Sequence, residues 1–118
     1  MLPKQYRLKK KQDFSRVYKR GVSAVYPAFV CYRRKCRAGR RFGFSVSKKL
    51  GNAVTRNRVK RRFRHGVYAL RDRFPDGYDY VFVARTAAVG TGYRQLLEQL
   101  ELAAAAESKG GPYGRKDP

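Results

Sequence analysis

Between Asn52 and Phe74 the apolar residues Val59, Phe63, Val67, Leu70 and Phe74 recur at spacings of four, four, three and four, a helical period. At 100° per residue this stripe covers only ~80° of arc. Arg58, Lys60, Arg61, Arg62 and Arg64 fall on the remainder. The helix must therefore bury one narrow side. Its other surface must face something able to hold the six Lys or Arg found between Arg56 and Arg64. Like charges at i and i+4, as in Lys60/Arg64 and Arg58/Arg62, repel, whereas ordinary surface helices place a carboxylate there. No acid occurs between Asp13 and Asp72. A merely solvated face does not explain such a run; an anionic partner does.

The same asymmetry runs through the chain. Residues 1–74 carry 24 Lys or Arg against two acids, and residues 75–118 carry five against six, for a formal charge of +21. Self-repulsion weakens such a domain and a polyanion stabilises it. No apolar run approaches the ~20 residues of a membrane span. The start, MLPKQYRLKKKQDF, is basic but lacks the apolar stretch of a signal peptide. The expectation is a cytoplasmic protein with no membrane partner and with Cys31 and Cys36 reduced. Cys31 reads as a buried thiol in an apolar strand. No zinc site is expected, because the single His65 is far from both cysteines in sequence.

The 118 residues suit one domain with one core. QDFSRVYKRG reads as a short helix with Phe14, Val17 and Tyr18 on one face. Gly21 is placed for a left-handed helix end. Residues 22–25 and 28–34 read as strands divided by Pro27. RRFGFSVS alternates, with Phe42, Phe44 and Val46 on one side. The basic link RKCRAGR before it reads as a hairpin connection. Asn52 caps the basic helix, and FPDGYD ends it. YDYVFVA is apolar on both faces, as in a covered strand. Thr91 caps a last helix that buries Tyr93, Leu96, Leu97, Leu100 and Ala104. The order α-β-β-β-α-β-α predicts a single-domain, two-layer α+β sandwich with a mixed four-stranded sheet. The domain spans residues 1–107, with a flexible tail at 108–118.

A basic helix can enter a DNA major groove when it projects from its domain. This one is embedded between two strands, and its broad exposed side suits the irregular phosphates of folded RNA. Eighteen of the 29 basic residues are Arg, suited to bidentate phosphate contacts. Lys48 and Lys49 sit at the helix start, where the dipole favours anions. Asn52 and Asn57 can donate to phosphate or 2′-hydroxyl oxygens. Phe14, Tyr18 and Tyr32 each read singly as core. Tyr32, however, alternates with Cys31 and faces the other side of the sheet. A first helix across that face makes a partly open aromatic cleft, edged by Arg7, Arg16, Lys19 and Arg33, of the kind that holds single strands. Core packing and an open cleft both fit that pattern.

Catalysis by the chain itself is not expected. Metal-ion nucleases need clustered carboxylates, and the first 74 residues hold two acids 59 positions apart. Acid–base nucleases need paired groups, and His65 is the only histidine. No nucleotide-binding loop or nucleophilic triad is present, and no small-molecule substrate is expected.

GFSVSKKLGNAVTRNRVKRRFR resembles the signature of the protein subunit of bacterial ribonuclease P. RLKKKQDFSRVYKRG and YDYVFVAR resemble that family's first segment and last strand. The resemblance covers roughly residues 5–103. It implies an auxiliary subunit whose partner, a catalytic RNA with bound magnesium, cleaves the 5′ leader from precursor tRNA. It assigns Lys48, Lys49, Asn52, Arg56, Asn57, Arg58, Lys60, Arg61 and Arg64 to the catalytic RNA, and Phe14, Tyr18 and Tyr32 to the leader. It assigns no catalytic or metal-binding residue to the protein. It also implies a left-handed β-α-β crossover around the basic helix, against the general right-handed preference. Three positions depart from the family: Tyr18, often Phe; Arg62, often apolar and here read as an added RNA contact; and His65, often acidic or polar. A structural single-strand or ribosomal RNA-binding protein is the alternative that composition leaves open, and a DNA-compacting protein is a weaker one.

Overall fold

The doubly apolar segment Tyr78–Ala84 becomes β4, an interior strand of the sheet. The computed structural model describes residues 2–36, 39–109 and 114–115, with side chains at 2–36 and 39–105. β1 (Val22–Val25), β2 (Phe29–Lys35), β3 (Arg40–Ser45) and β4 form the expected mixed four-stranded sheet in the order β3-β4-β2-β1. A two-residue strand, β5 (Gly114–Arg115), adds antiparallel to the edge of β1. It falls within the stretch expected to be a flexible tail, where residues 110–113 and 116–118 lie outside the described residues. Three helices complete the α+β fold: α1 (Lys11–Arg20), α2 (Ala53–Leu70) and α3 (Tyr93–Lys109).

The expected β2–β3 hairpin does not form. β4 lies between the two strands, antiparallel to β2 and parallel to β3. The residues after β2 and before β3 both bond to Gly77, ahead of β4: Cys36 N–H donates to the Gly77 carbonyl at 2.8 Å, and Gly77 N–H donates to the Gly39 carbonyl at 2.8 Å. A strand apolar on both faces gains more from a central position than an edge one. β3 and β4 are thus parallel neighbours joined through α2, the crossover that the family resemblance picks out.

One face of the sheet carries the main core. Phe29, Phe42, Tyr80 and Phe82 pack there against Val59, Phe63, Val67 and Leu70 of α2 and Leu96, Leu100 and Ala104 of α3. The α2 stripe is buried as expected. The α-helix ends at Leu70, however, and a 3-10 turn at Arg71–Arg73 delivers Phe74 to the core. Gly66 completes the α2–α3 contact, since a Cβ there would meet Leu100 Cδ1 at 2.7 Å. The α3 cap also differs. Leu96 N–H donates to Gly92 O, and Gln95 Oε1 accepts from Gly92 N–H at 3.3 Å. Thr91 instead donates its hydroxyl back to Ala87 O at 2.7 Å. Tyr93, on the first turn of α3, is 40% exposed rather than buried.

α1 crosses the opposite face. Val17 packs on Val81 and Leu8, with Phe14, Tyr18, Tyr32 and Val83 around them. Two glycines let the backbones approach. A Cβ at Gly43 would lie 2.6 Å from Phe14 Cζ. A Cβ at Gly21 would lie 2.3 Å from Arg33 O and 2.4 Å from Val17 O. Gly21 is extended (φ −92°, ψ 179°) rather than left-handed. Close approach selects glycine there, and the chain enters β1 directly.

Candidate nucleic-acid interface

The basic surface begins at a 3-10 turn, Lys48–Leu50. Leu50 is buried and anchors it, leaving Lys48 and Lys49 exposed. Asn52 caps α2 by accepting the Thr55 N–H at 3.0 Å. Its amide nitrogen remains a donor for an incoming oxygen. Asn57, Arg58 and Arg61 are exposed, while Arg56, Lys60 and Arg64 are half-buried. Arg56 Nε donates back to Gly51 O at 3.1 Å, bracing the turn against the helix. All nine residues assigned to the catalytic RNA thus lie on one turn and the helix it feeds. Asn57, Arg61, Arg64 and His65 line a groove of about 270 Å³ on that helix, with His65 exposed.

Arg62 does not belong to this surface. It is half-buried and donates to the Thr91 carbonyl ahead of α3. Arg62, expected to be an added RNA contact, instead ties α2 to the connection between β4 and α3. A helical wheel alone could not separate it from its neighbours.

The three aromatic residues come together on the α1 side of the sheet. Tyr18 and Tyr32 meet edge to face, with ring centroids 5.0 Å apart and planes at 83°. Phe14 sits against Gly43. All three are half-buried, so each contributes both to packing and to the surface. The Tyr18 hydroxyl is hydrogen-bonded with Ser45. Burial raises the Tyr18 pKa, and nearby Tyr32 adds to this, against the lowering effect of the Ser45 bond. Ser45 ends β3, three residues before Lys48, so the aromatic cluster and the basic turn share one end of the sheet.

The expected basic edge of the cleft is different. Arg33 follows Tyr32, so strand alternation turns it to the opposite face. There its guanidinium lies 4.9 Å from the centre of the Tyr78 ring. Arg7 Nε donates to Leu2 O at 2.7 Å. Arg16 and Lys19 lie on a separate groove along α1, joined by Arg34.

Beneath α1 lies a charge pair that pattern reading missed. Asp79 is 2% exposed and accepts two hydrogen bonds from Arg41, at 3.0 and 2.9 Å. Asp13 of α1 adds a second carboxylate 3.7 Å from Arg41. The Asp79 hydrogen bond is the largest cause raising the Arg41 pKa, against desolvation. The signal was an acid inside the apolar run YDYVFVA, aligned in register with Arg41.

Among the described residues no group of three or more His, Cys, Asp or Glu is placed to hold a metal ion. No described helix is long and apolar enough to cross a membrane. Cys31 is buried and Cys36 half-buried, and neither is in a disulfide.

The family model described as Ribonuclease P matches residues 2–106. The ribonuclease P protein component of Streptococcus pneumoniae is 39% identical over 100 residues, covering 84% of this chain and 81% of that protein. The solved structure of the Staphylococcus aureus RNase P protein superposes with a TM-score of 0.77 at 39% identity, covering 86% of this chain and 96% of that one. The RNase P protein from Thermotoga maritima gives a TM-score of 0.76 at 28% identity, covering 83% and 94%. These likenesses do not favour a ribosomal component.

Proposed function

The chain belongs to the family of ribonuclease P protein components, the protein subunit of that ribonucleoprotein, and on that premise we propose a division of labour between its two sheet faces. The turn at Lys48 and the exposed side of α2 dock on the catalytic RNA. Phe14, Tyr18 and Tyr32 hold the single-stranded 5′ leader of precursor tRNA. Hydrolysis is left to the RNA and the magnesium it binds.

The observation that carries this reading is the acid-free surface of α2, with Asn57, Arg58 and Arg61 exposed beyond the lysines of the capping turn. Each phosphate neutralised there releases condensed counterions, which makes docking favourable and salt-dependent. The aromatic cluster supplies ring edges and faces for stacking without base readout. With no carboxylate cluster among the described residues, the reading gives the chain binding and positioning rather than bond cleavage.

Reconstitution tests this directly. Adding the protein to its cognate catalytic RNA at low magnesium should sharply raise precursor cleavage, and the protein alone should cleave nothing. No gain would remove the proposal. A second measurement isolates the cleft. Tyr32→Ala should weaken precursor tRNA binding to the reconstituted enzyme by ~1–3 kcal/mol, the range for one stacked base. Mature tRNA, lacking the leader, should bind almost as before. Equal losses for both would make Tyr32 a packing residue only.

A further inference from the structure

We infer that the outer groove of α1 is a second anion site, which carries the sugar-phosphate backbone of the precursor's leader after it leaves the aromatic cleft. This rests on the leader occupying that cleft. The groove has a volume of about 550 Å³, and Lys11, Arg16, Lys19, Arg20 and Arg34 line it, with Gln12 as a neutral donor. No carboxylate and no aromatic ring lines it. It therefore suits phosphates rather than bases.

Ordinary neutralisation does not account for these charges. Lys11, Arg16, Lys19 and Arg20 are all exposed. Among the described residues, the carboxylate that reaches the set is Asp13, 3.9 Å from Arg16, and its side chain is only 14% exposed. Asp13 is shared with Arg41 at 3.7 Å. Asp79 faces Arg34 in register across β2 and β4, but both its oxygens accept from Arg41. The groove thus keeps a net positive field.

Position selects the leader over the catalytic RNA. α1 packs on the sheet face opposite α2, so an RNA docked on the basic helix lies on the other side of the sheet. Tyr32 and Arg34 alternate onto the same face of β2, and Arg34 lines the groove, so a strand stacked on Tyr32 continues onto it. α1 is then a ridge with base stacking at its foot and backbone contacts along its outer side.

The test uses the reconstituted enzyme with two precursor tRNAs, one whose leader ends just beyond the cleft and one longer by about ten nucleotides, within the range of single-strand site sizes. Binding is measured against salt. For the wild type the long leader should give a steeper dependence, by about two in log–log slope for three single-strand phosphate contacts. Arg16→Gln/Lys19→Gln/Arg20→Gln should abolish that increment and leave the short-leader slope unchanged. Arg16→Lys/Arg20→Lys, which keeps the charge, should retain it. A wild-type increment that survives the triple glutamine change overturns the inference, as does no increment in the wild type. Failure of the underlying reading looks different: the short-leader precursor then binds no better than mature tRNA. Unchanged circular dichroism melting of the variants separates lost contacts from lost folding.

Discussion

Changing Arg41 to alanine should cost about 3–5 kcal/mol of stability, the range for breaking a buried ion pair from one side. The midpoint of thermal unfolding should fall by roughly 10–20 °C. The size follows from what is left behind. Asp79 is 2% exposed and receives both its charge-assisted bonds from Arg41. Without them a carboxylate stays in the sheet interior with its solvation lost and its partner gone. Asp13 loses its link to β3 in the same step, which loosens α1. The reverse change is milder, because the Arg41 side chain is 42% exposed and can turn to water. The double variant Arg41→Ala/Asp79→Ala should therefore be more stable than Arg41→Ala alone. Denaturant unfolding of the three variants measures this. A double variant no better than the single one would mean that the stranded charge is not the source of the loss.

The largest functional effect is expected from Arg58→Ala/Arg61→Ala. Both side chains are exposed on the α2 surface. A hydrogen bond to a charged group contributes about 1.5–3 kcal/mol, so losing both should lower affinity for the catalytic RNA by on the order of 100-fold or more at ~150 mM salt. The log–log salt slope should flatten by nearly two. Arg62→Leu is the matched contrast. Its guanidinium bonds to the Thr91 carbonyl, so the change should lower unfolding stability and leave the salt slope in place. A flattened slope in Arg62→Leu, or an unchanged one in the double variant, would reverse the assignment of these arginines.

What could be read from sequence was whatever repeats with the period of its element. The stripe from Val59 to Leu70 and the doubly apolar β4 were legible because each position repeats the same statement about burial. The nine residues of the basic turn and α2 and the three aromatics were assigned through family resemblance alone, and the structure places each set together without assigning it a ligand. Single-residue roles were harder. Gly21 serves a contact with Arg33 O, a partner twelve residues on, not a local turn. The break between β2 and β3 carries hairpin-like residues, but nothing local announces that β4 will enter the gap. Arg33 and Arg34 are a different case. Strand alternation already implied that Arg34, not Arg33, shares a face with Tyr32, and that inference was available from the sequence. Arg62 shows the limit of a helical wheel, which locates a direction but not what waits there.

The place of β4 in the sheet also sets an order of events during synthesis. Translation delivers β1, β2, β3 and the whole of α2 before the strand that joins them. Until Tyr78–Ala84 leaves the ribosome, β1 and β2 form a lone two-stranded ribbon, marginal in water, and β3 is bridged only at its outer edge, through Arg7 and Phe42. The most cationic part of the chain thus emerges beside ribosomal RNA with no closed core behind it. Non-local closure comes late, and the loop-entropy cost falls at that step. The sheet that backs this cationic surface can close only once the seventh dozen of residues is out.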